Sequence, residues 1–224
     1  MNKIAMAVGA AVLGLSAAAQ AELSANIGAT SNYIWRGQTQ TMDGAAIQGG
    51  IDYAHDSGFY VGTWASNIDW GTDASGEELD LYGGFSGEAS GIGYDIGVIG
   101  YIYPGINDSN FTEIYGSLSF SYFTAGVNYT IDGESGGQYE DGDVYYYLSG
   151  SFDLSDGWSV GATIGHYAFD KVDDVDYSHA LVSVTKTAGD YGDFTFSLSN
   201  IIDQDDGAGY DNDVIPFVSW SKSF

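Results

Sequence analysis

The chain has 224 residues, with 31 Asp and Glu against 5 Lys and Arg, so its formal net charge is -26. Phosphate neutralisation needs clustered Lys and Arg, and their scarcity excludes a nucleic-acid binder. A hydrophobic content of 44% with 15% aromatic residues excludes a disordered acidic tail, and the absence of cysteine excludes a disulfide framework and thiolate chemistry.

Residues 1–21 read as a secretory signal peptide. Met1 to Lys3 carry positive charge, Ile4 to Leu15 are apolar, and Ala19-Gln20-Ala21 forms a small-x-small cleavage site. Export leaves residues 22–224, in which no stretch approaches the roughly 20 apolar residues of a spanning helix. The exported part is then either soluble or crosses a membrane as strands.

Period-2 alternation recurs along the chain, while sustained helical periodicity does not. The first predicted strand runs from about Leu23 to Arg36, with Leu23, Ala25, Ile27, Ala29, Tyr33 and Trp35 on its apolar face. The rhythm returns in Ile47, Ile51, Tyr53, in Leu79, Leu81, Phe85, and in Ile92, Tyr94, Ile96, Val98. It continues through Phe123 to Ile131, Val144 to Leu154, Trp158 to Ile164, Ala180 to Val184, Phe194 to Ile202 and Val214 to Phe224. Segments 58–69 and 111–121 alternate less cleanly, and with them the count is twelve strands.

Alternation alone also fits a soluble sandwich. The connections discriminate. Short ones at 55–58, 87–91, near Ser121, 154–157 and 188–192 interleave with longer ones at 37–44, 69–77, 104–110, 132–143, 170–176 and 203–213. All long loops therefore lie at one end, which is the asymmetry of outer-membrane barrels. Most of the acidic residues fall in these external connections, away from lipid, where they would be expensive. The expected fold is all-β: a closed antiparallel up-and-down transmembrane β-barrel of 12 strands over residues 22–224, in the outer membrane of a Gram-negative bacterium. Trp35, Trp64, Trp70, Trp158 and Trp220 fit interfacial aromatic girdles. Lys186 and Lys222 fit snorkelling positions at the periplasmic interface, and the terminal Phe224 fits a chain inserted by the barrel assembly machinery.

The stretch Ser31-Asn32-Tyr33-Ile34-Trp35-Arg36-Gly37, followed by Ala46-Ile47-Gln48-Gly49-Gly50-Ile51-Asp52-Tyr53, resembles the TorF family of porins of Gram-negative bacteria. Ser57 to Asn67 and Glu78 to Gly84 are similar to it as well, and the likeness is densest over residues 24–87. It implies an outer-membrane barrel and a solute channel, without a substrate or a catalytic set.

The inward faces carry the functional expectation. Asp52, Asp80, Asp95, Glu113 and Asp153 fall there as pore-lining candidates, opposed mainly by Arg36, among Gly, Ser, Thr and Asn. Rings of carboxylates favour cations, so the expected function is passive diffusion of small hydrophilic solutes through a narrow, weakly cation-selective passage. Arg36, a lone cation on an acidic face, is expected to hold a carboxylate network or an internal loop in place. The alternative is a non-conducting structural or surface-interaction barrel whose side chains fill a small lumen. No enzyme is expected: His55-Asp56-Ser57 falls on a periplasmic turn, and His166 and His179 lack a serine motif. No cofactor or specific metal site is expected either. Asp203-Gln204-Asp205-Asp206-Gly207 misses calcium-loop spacing, leaving weak divalent-cation association with the loops. The expected partners are outer-membrane lipids, lipopolysaccharide and the assembly machinery.

Overall fold

The computed structural model describes residues 22–71 and 74–224; the expected signal segment, residues 1–21, lies outside them. The strands are β1 (Glu22–Thr30), β2 (Ile34–Trp35), β3 (Gln38–Thr39), β4 (Ala46–Ala54), β5 (Phe59–Asp69), β6 (Ser75–Ala89) and β7 (Ile92–Ile102). They continue as β8 (Phe111–Phe120), β9 (Phe123–Gly133), β10 (Val144–Asp153), β11 (Trp158–Ala168), β12 (Tyr177–Thr187), β13 (Asp193–Gln204) and β14 (Ile215–Ser223). β1 and β4 to β14 form a closed meander of twelve strands, each antiparallel to its sequence neighbours, and β14 returns to β1. The pair β2–β3 is a separate two-stranded hairpin.

Closure follows from where the apolar residues point. Ile47, Ile51, Val61, Leu81, Ile96, Leu118, Leu148, Ile164 and Val218 share the outer surface and are exposed, Ile96 at 62%. Such a belt in water would forgo burial worth about 1.5–3 kcal/mol per side chain, whereas hydrocarbon accommodates it. Hydrocarbon offers no hydrogen-bond partner to a strand edge, so the sheet must close.

Two departures from the predicted layout matter. Ser75 to Glu78 belong to β6, which shortens the second external loop and turns Glu78 inward, where it is 2% exposed. The first strand ends at Thr30, not near Arg36. Ser31 makes the last contacts with β14, its N–H donating to the Val218 carbonyl and its Oγ accepting the Val218 N–H at 3.0 Å. The chain then turns into the barrel, leaving Ile215–Phe217 of β14 paired with β13 alone. Pro216 lies in that half-paired segment, where a residue without an N–H is tolerated.

Replacing Ile96 by Lys should destabilise the bilayer-inserted barrel by about 2–4 kcal/mol in reversible chemical unfolding, the cost of a cation at the lipid-facing midplane. A change within about 0.5 kcal/mol, typical of a water-facing surface site, would mean that this face does not meet hydrocarbon.

Candidate functional site: a lumen occupied by the first external loop

The inward-turned segment is built by local chemistry. Asn32 donates to Asp43 Oδ1 at 2.8 Å and accepts from Thr39 Oγ1 at 2.7 Å, while Thr41 Oγ1 accepts the Tyr33 N–H at 3.1 Å. These bonds fold residues 31–45 back on themselves. At the tip, Trp35 pairs with Gln38 across a two-residue turn in which Arg36 and Gly37 have φ of 47° and 91°. Positive φ at both central residues is the geometry of a tight I′-type hairpin. Gly37 is also required sterically, since a Cβ there would come within 2.6 Å of His179 and 2.9 Å of Ile201.

The hairpin delivers Arg36 to Glu113 on β8. Nη1 donates to Oε1 at 2.7 Å and Nη2 to Oε2 at 2.6 Å, with side-chain exposures of 8% and 1%. Glu113 also accepts Asn128 Nδ2 at 2.9 Å, and the Tyr101 and Tyr167 hydroxyls at 3.3 Å each. The guanidinium lies 4.3 Å from the Trp35 ring, 4.2 Å from Tyr145 and 5.1 Å from Tyr167. Every feature that makes a buried ion pair tolerable is present: fork geometry, filled carboxylate lone pairs and π faces for the cation.

Around this pair the external half of the lumen is filled by a buried aromatic cluster. Trp35 packs edge-on against Tyr101, Phe111 and Tyr139, and Tyr33 packs edge-on against Trp64. Tyr33 Oη donates to Glu78 Oε1 at 3.3 Å. Beside it Asp80 is 1% exposed, with Oδ1 unpartnered. Outside the hairpin, Trp70 Nε1 donates to Gln40 Oε1 at 2.9 Å, tying the second loop to the first. Lys171 in the fifth external loop contacts Asp170 at 3.1 Å and Asp141 at 3.6 Å, and these carboxylates raise its pKa.

The periplasmic half differs. Tyr60, Tyr82, Asp95, Tyr115 and Ser117 remain partly exposed, as do Ser24, Asn26, Ser183, Thr185, Ser219 and Ser221 across the lumen. Tyr115 and Tyr60 hydroxyls meet at 2.5 Å and Tyr60 donates to Asp95 Oδ1 at 2.7 Å, while Tyr82 donates to Asp52 Oδ1 at 2.5 Å. The tyrosines lie against glycines of adjacent strands: Tyr82 over Gly62, Tyr115 over Gly97, Tyr147 over Gly126. A Cβ at Gly126 would meet the Tyr147 ring at 2.6 Å. This packing holds the rings to the wall and leaves a polar vestibule with carboxylates on one side and hydroxyls on the other.

The six residues singled out in the sequence thus separate by height. Arg36 and Glu113 form the latch, Asp80 is buried beside Glu78 in the external half, and in the periplasmic half Asp95 is half-buried while Asp52 is buried against Tyr82. Asp153 has inward parity but sits exposed at the periplasmic end of β10. Tyr33 and Trp35, predicted to face lipid, are 3% and 6% exposed inside the lumen, because the strand carrying their alternation ends at Thr30. Trp35 and Trp64 are therefore not girdle residues; Trp158 and Trp220 sit at the periplasmic rim and Trp70 at the external one. His179 is a lumen residue bonded to Tyr145 Oη at 2.9 Å, and His166 Nδ1 contacts Ser178 Oγ at 2.9 Å on the outer face. His55 closes its own turn through Ser57 at 2.7 Å. Asn128 and the Gly-facing tyrosines escaped the sequence reading, although Tyr spaced opposite Gly on neighbouring strands is a signal that could have found the latter.

A closed twelve-stranded barrel with an apolar outside, long loops at one end and a loop folded into its lumen has the fold of an outer-membrane β-barrel. The chain belongs to the family described as "Bacterial protein of unknown function (Gcw_chp)", which matches residues 15–211. No curated protein matches the sequence. Among solved structures, the fold is similar to the KdgM porin, with a TM-score of 0.59 at 7% identity, covering 90% of this chain and 98% of that one. It is also similar to an outer-membrane channel from Pseudomonas putida F1, with a TM-score of 0.56 at 9% identity, covering 93% and 97%. The NanC porin gives 0.52 at 9% identity, covering 89% and 98%. At these identities the likeness is one of fold.

Arg36→Ala should lower unfolding stability by about 3–5 kcal/mol, because it strands a buried carboxylate, and adding Glu113→Gln should recover much of that loss. A loss from Arg36→Ala below about 1 kcal/mol, the range of a solvated pair, would show that the latch is not desolvated.

Proposed function

We propose that the protein is a porin-like channel for small hydrophilic solutes, held closed by its own first external loop. The observation that carries this reading is the division of the lumen: a buried aromatic plug inserted from one end, above a polar vestibule whose residues remain partly exposed. The TorF likeness of residues 24–87 and the porins that share the fold support the same reading.

Selectivity follows from the charges facing the path. Asp95 lines the vestibule with Asp52 buried against Tyr82 at its wall, Asp153 lies at the periplasmic mouth, and Asp80 and Glu113 border the segment uncovered when the hairpin leaves. Arg36 leaves with it. Cations and neutral solutes are favoured, and anions are disfavoured. A KdgM porin has been solved in complex with disordered oligogalacturonate. Here the one lumen guanidinium among the described residues is already neutralised by Glu113, so we do not assign an acidic saccharide to this channel. The proposed setting is the outer membrane, after insertion by the barrel assembly machinery, with the acidic loops facing lipopolysaccharide and weakly held divalent cations. The second reading, a permanently closed barrel, is favoured by the completeness of the Arg36 and Glu113 contacts.

In planar bilayers under a salt gradient, the protein should show infrequent openings with a cation-selective reversal potential. Asp52→Asn with Asp95→Asn should move that potential toward zero without changing the frequency of opening. Anion selectivity, or no opening at any voltage below rupture, would overturn the channel reading.

A further inference from the structure

Lys186 and Lys222 stand on the outward faces of β12 and β14, near the periplasmic ends of both strands. Lys186 is registered opposite Trp158 on one side and Phe194 on the other, and Phe194 opposite Trp220. Two residues toward the membrane centre, Val184, Phe196 and Val218 form a parallel apolar row. Between the rows runs a furrow of about 590 Å³ floored by the backbone of Thr195, Ser219 and Thr30.

Neither ammonium is in an ion pair among the described residues, in a chain with 31 carboxylates. Lys186 donates to the main-chain carbonyl of Asp156 and lies 5.3 Å from the Trp158 ring, and Lys222 lies 5.1 Å from the Phe224 ring. Lys222 is one strand beyond β13 and two residues beyond Trp220, so the two lysine Cα atoms are roughly 12 Å apart by strand spacing and rise. Trp220 Nε1 donates to the Tyr191 carbonyl in the periplasmic turn at 2.7 Å, which fixes the depth of the patch.

We propose that this furrow binds an anionic glycerophospholipid of the periplasmic leaflet, with an acyl chain along Val184, Phe196 and Val218 and the phosphate held at Lys186 and Lys222. The occupant is chosen by charge. Among the described residues these two are the only cations on the outer surface of the strands; Lys186 lines the acyl-sized apolar groove, and Lys222 stands just beyond its periplasmic edge, two residues past Trp220. A zwitterionic lipid brings its own ammonium and gains less from them. Lipopolysaccharide belongs to the opposite leaflet, beside the acidic loops. The proposal stands whether or not the lumen conducts.

The test uses the full-length folded barrel in vesicles of phosphatidylcholine doped with brominated phosphatidylglycerol or brominated phosphatidylcholine, read by tryptophan quenching. Phosphatidylglycerol should be preferred, with about a fivefold loss of relative affinity for each lysine removed in Lys186→Gln and Lys222→Gln. High salt should erase the preference in the unmodified protein, which gives an independent reading if a variant folds poorly. Equal quenching by the two lipids, or a preference that survives both substitutions and high salt, would overturn the proposal.

Discussion

The arrangement of the lumen depends on one interaction: a guanidinium and a carboxylate that have both left water and must satisfy each other. Removing two ions from water costs several kcal/mol each, and only close, fully hydrogen-bonded geometry offsets it. Arg36 and Glu113 meet those terms with a 2.6 Å and 2.7 Å fork and three further donors on the carboxylate. Because Arg36 rides on a hairpin and Glu113 on the wall, satisfying the pair draws residues 32–41 inside the barrel. The aromatic cluster then excludes the water that would otherwise solvate both ions. Latch and plug thus support each other: the ion pair seats the hairpin, and the aromatic cluster shields the pair from water.

In the channel proposed above, that coupling would make the closed state displaceable. The hairpin is also held by the packing of Tyr33 and Trp35, but the charge pair is the part of its seat that a competing or neutralising ion can weaken. The vestibule below is already polar and pre-formed, its tyrosines fixed to the wall by Asp52 and Asp95 and by the glycines they cover, so the proposed opening would require movement of the loop and not reconstruction of the barrel.

How much of this was legible in the sequence divides along a physical line. The barrel was legible because hydrocarbon imposes a periodic demand on every strand, and Ile96 or Leu148 meets it without reference to any other residue. Arg36 stood out because one cation on an acidic face needs a partner. Its partner's identity was not legible: the alternation that marks Glu113 as inward reports a face and not a height, and Asp153, on the same kind of face, lies at the rim. Tyr33 and Trp35 misled because they continue the parity of β1 past the point where Asn32, Thr39 and Thr41 bend the chain. Glu78 was hidden by a loop boundary drawn too late.

The central claim is that the hairpin alone closes a lumen that would otherwise conduct. It is tested most directly by single-channel recording of a barrel in which residues 33–40 are replaced by a short Gly-Ser link and Glu113 by Gln, so that no buried carboxylate is left unpaired. If the account is right, this barrel holds a steady open conductance where the unmodified protein is closed nearly all the time. A folded barrel that stays closed without its hairpin would contradict it, and would assign occlusion to the wall residues themselves.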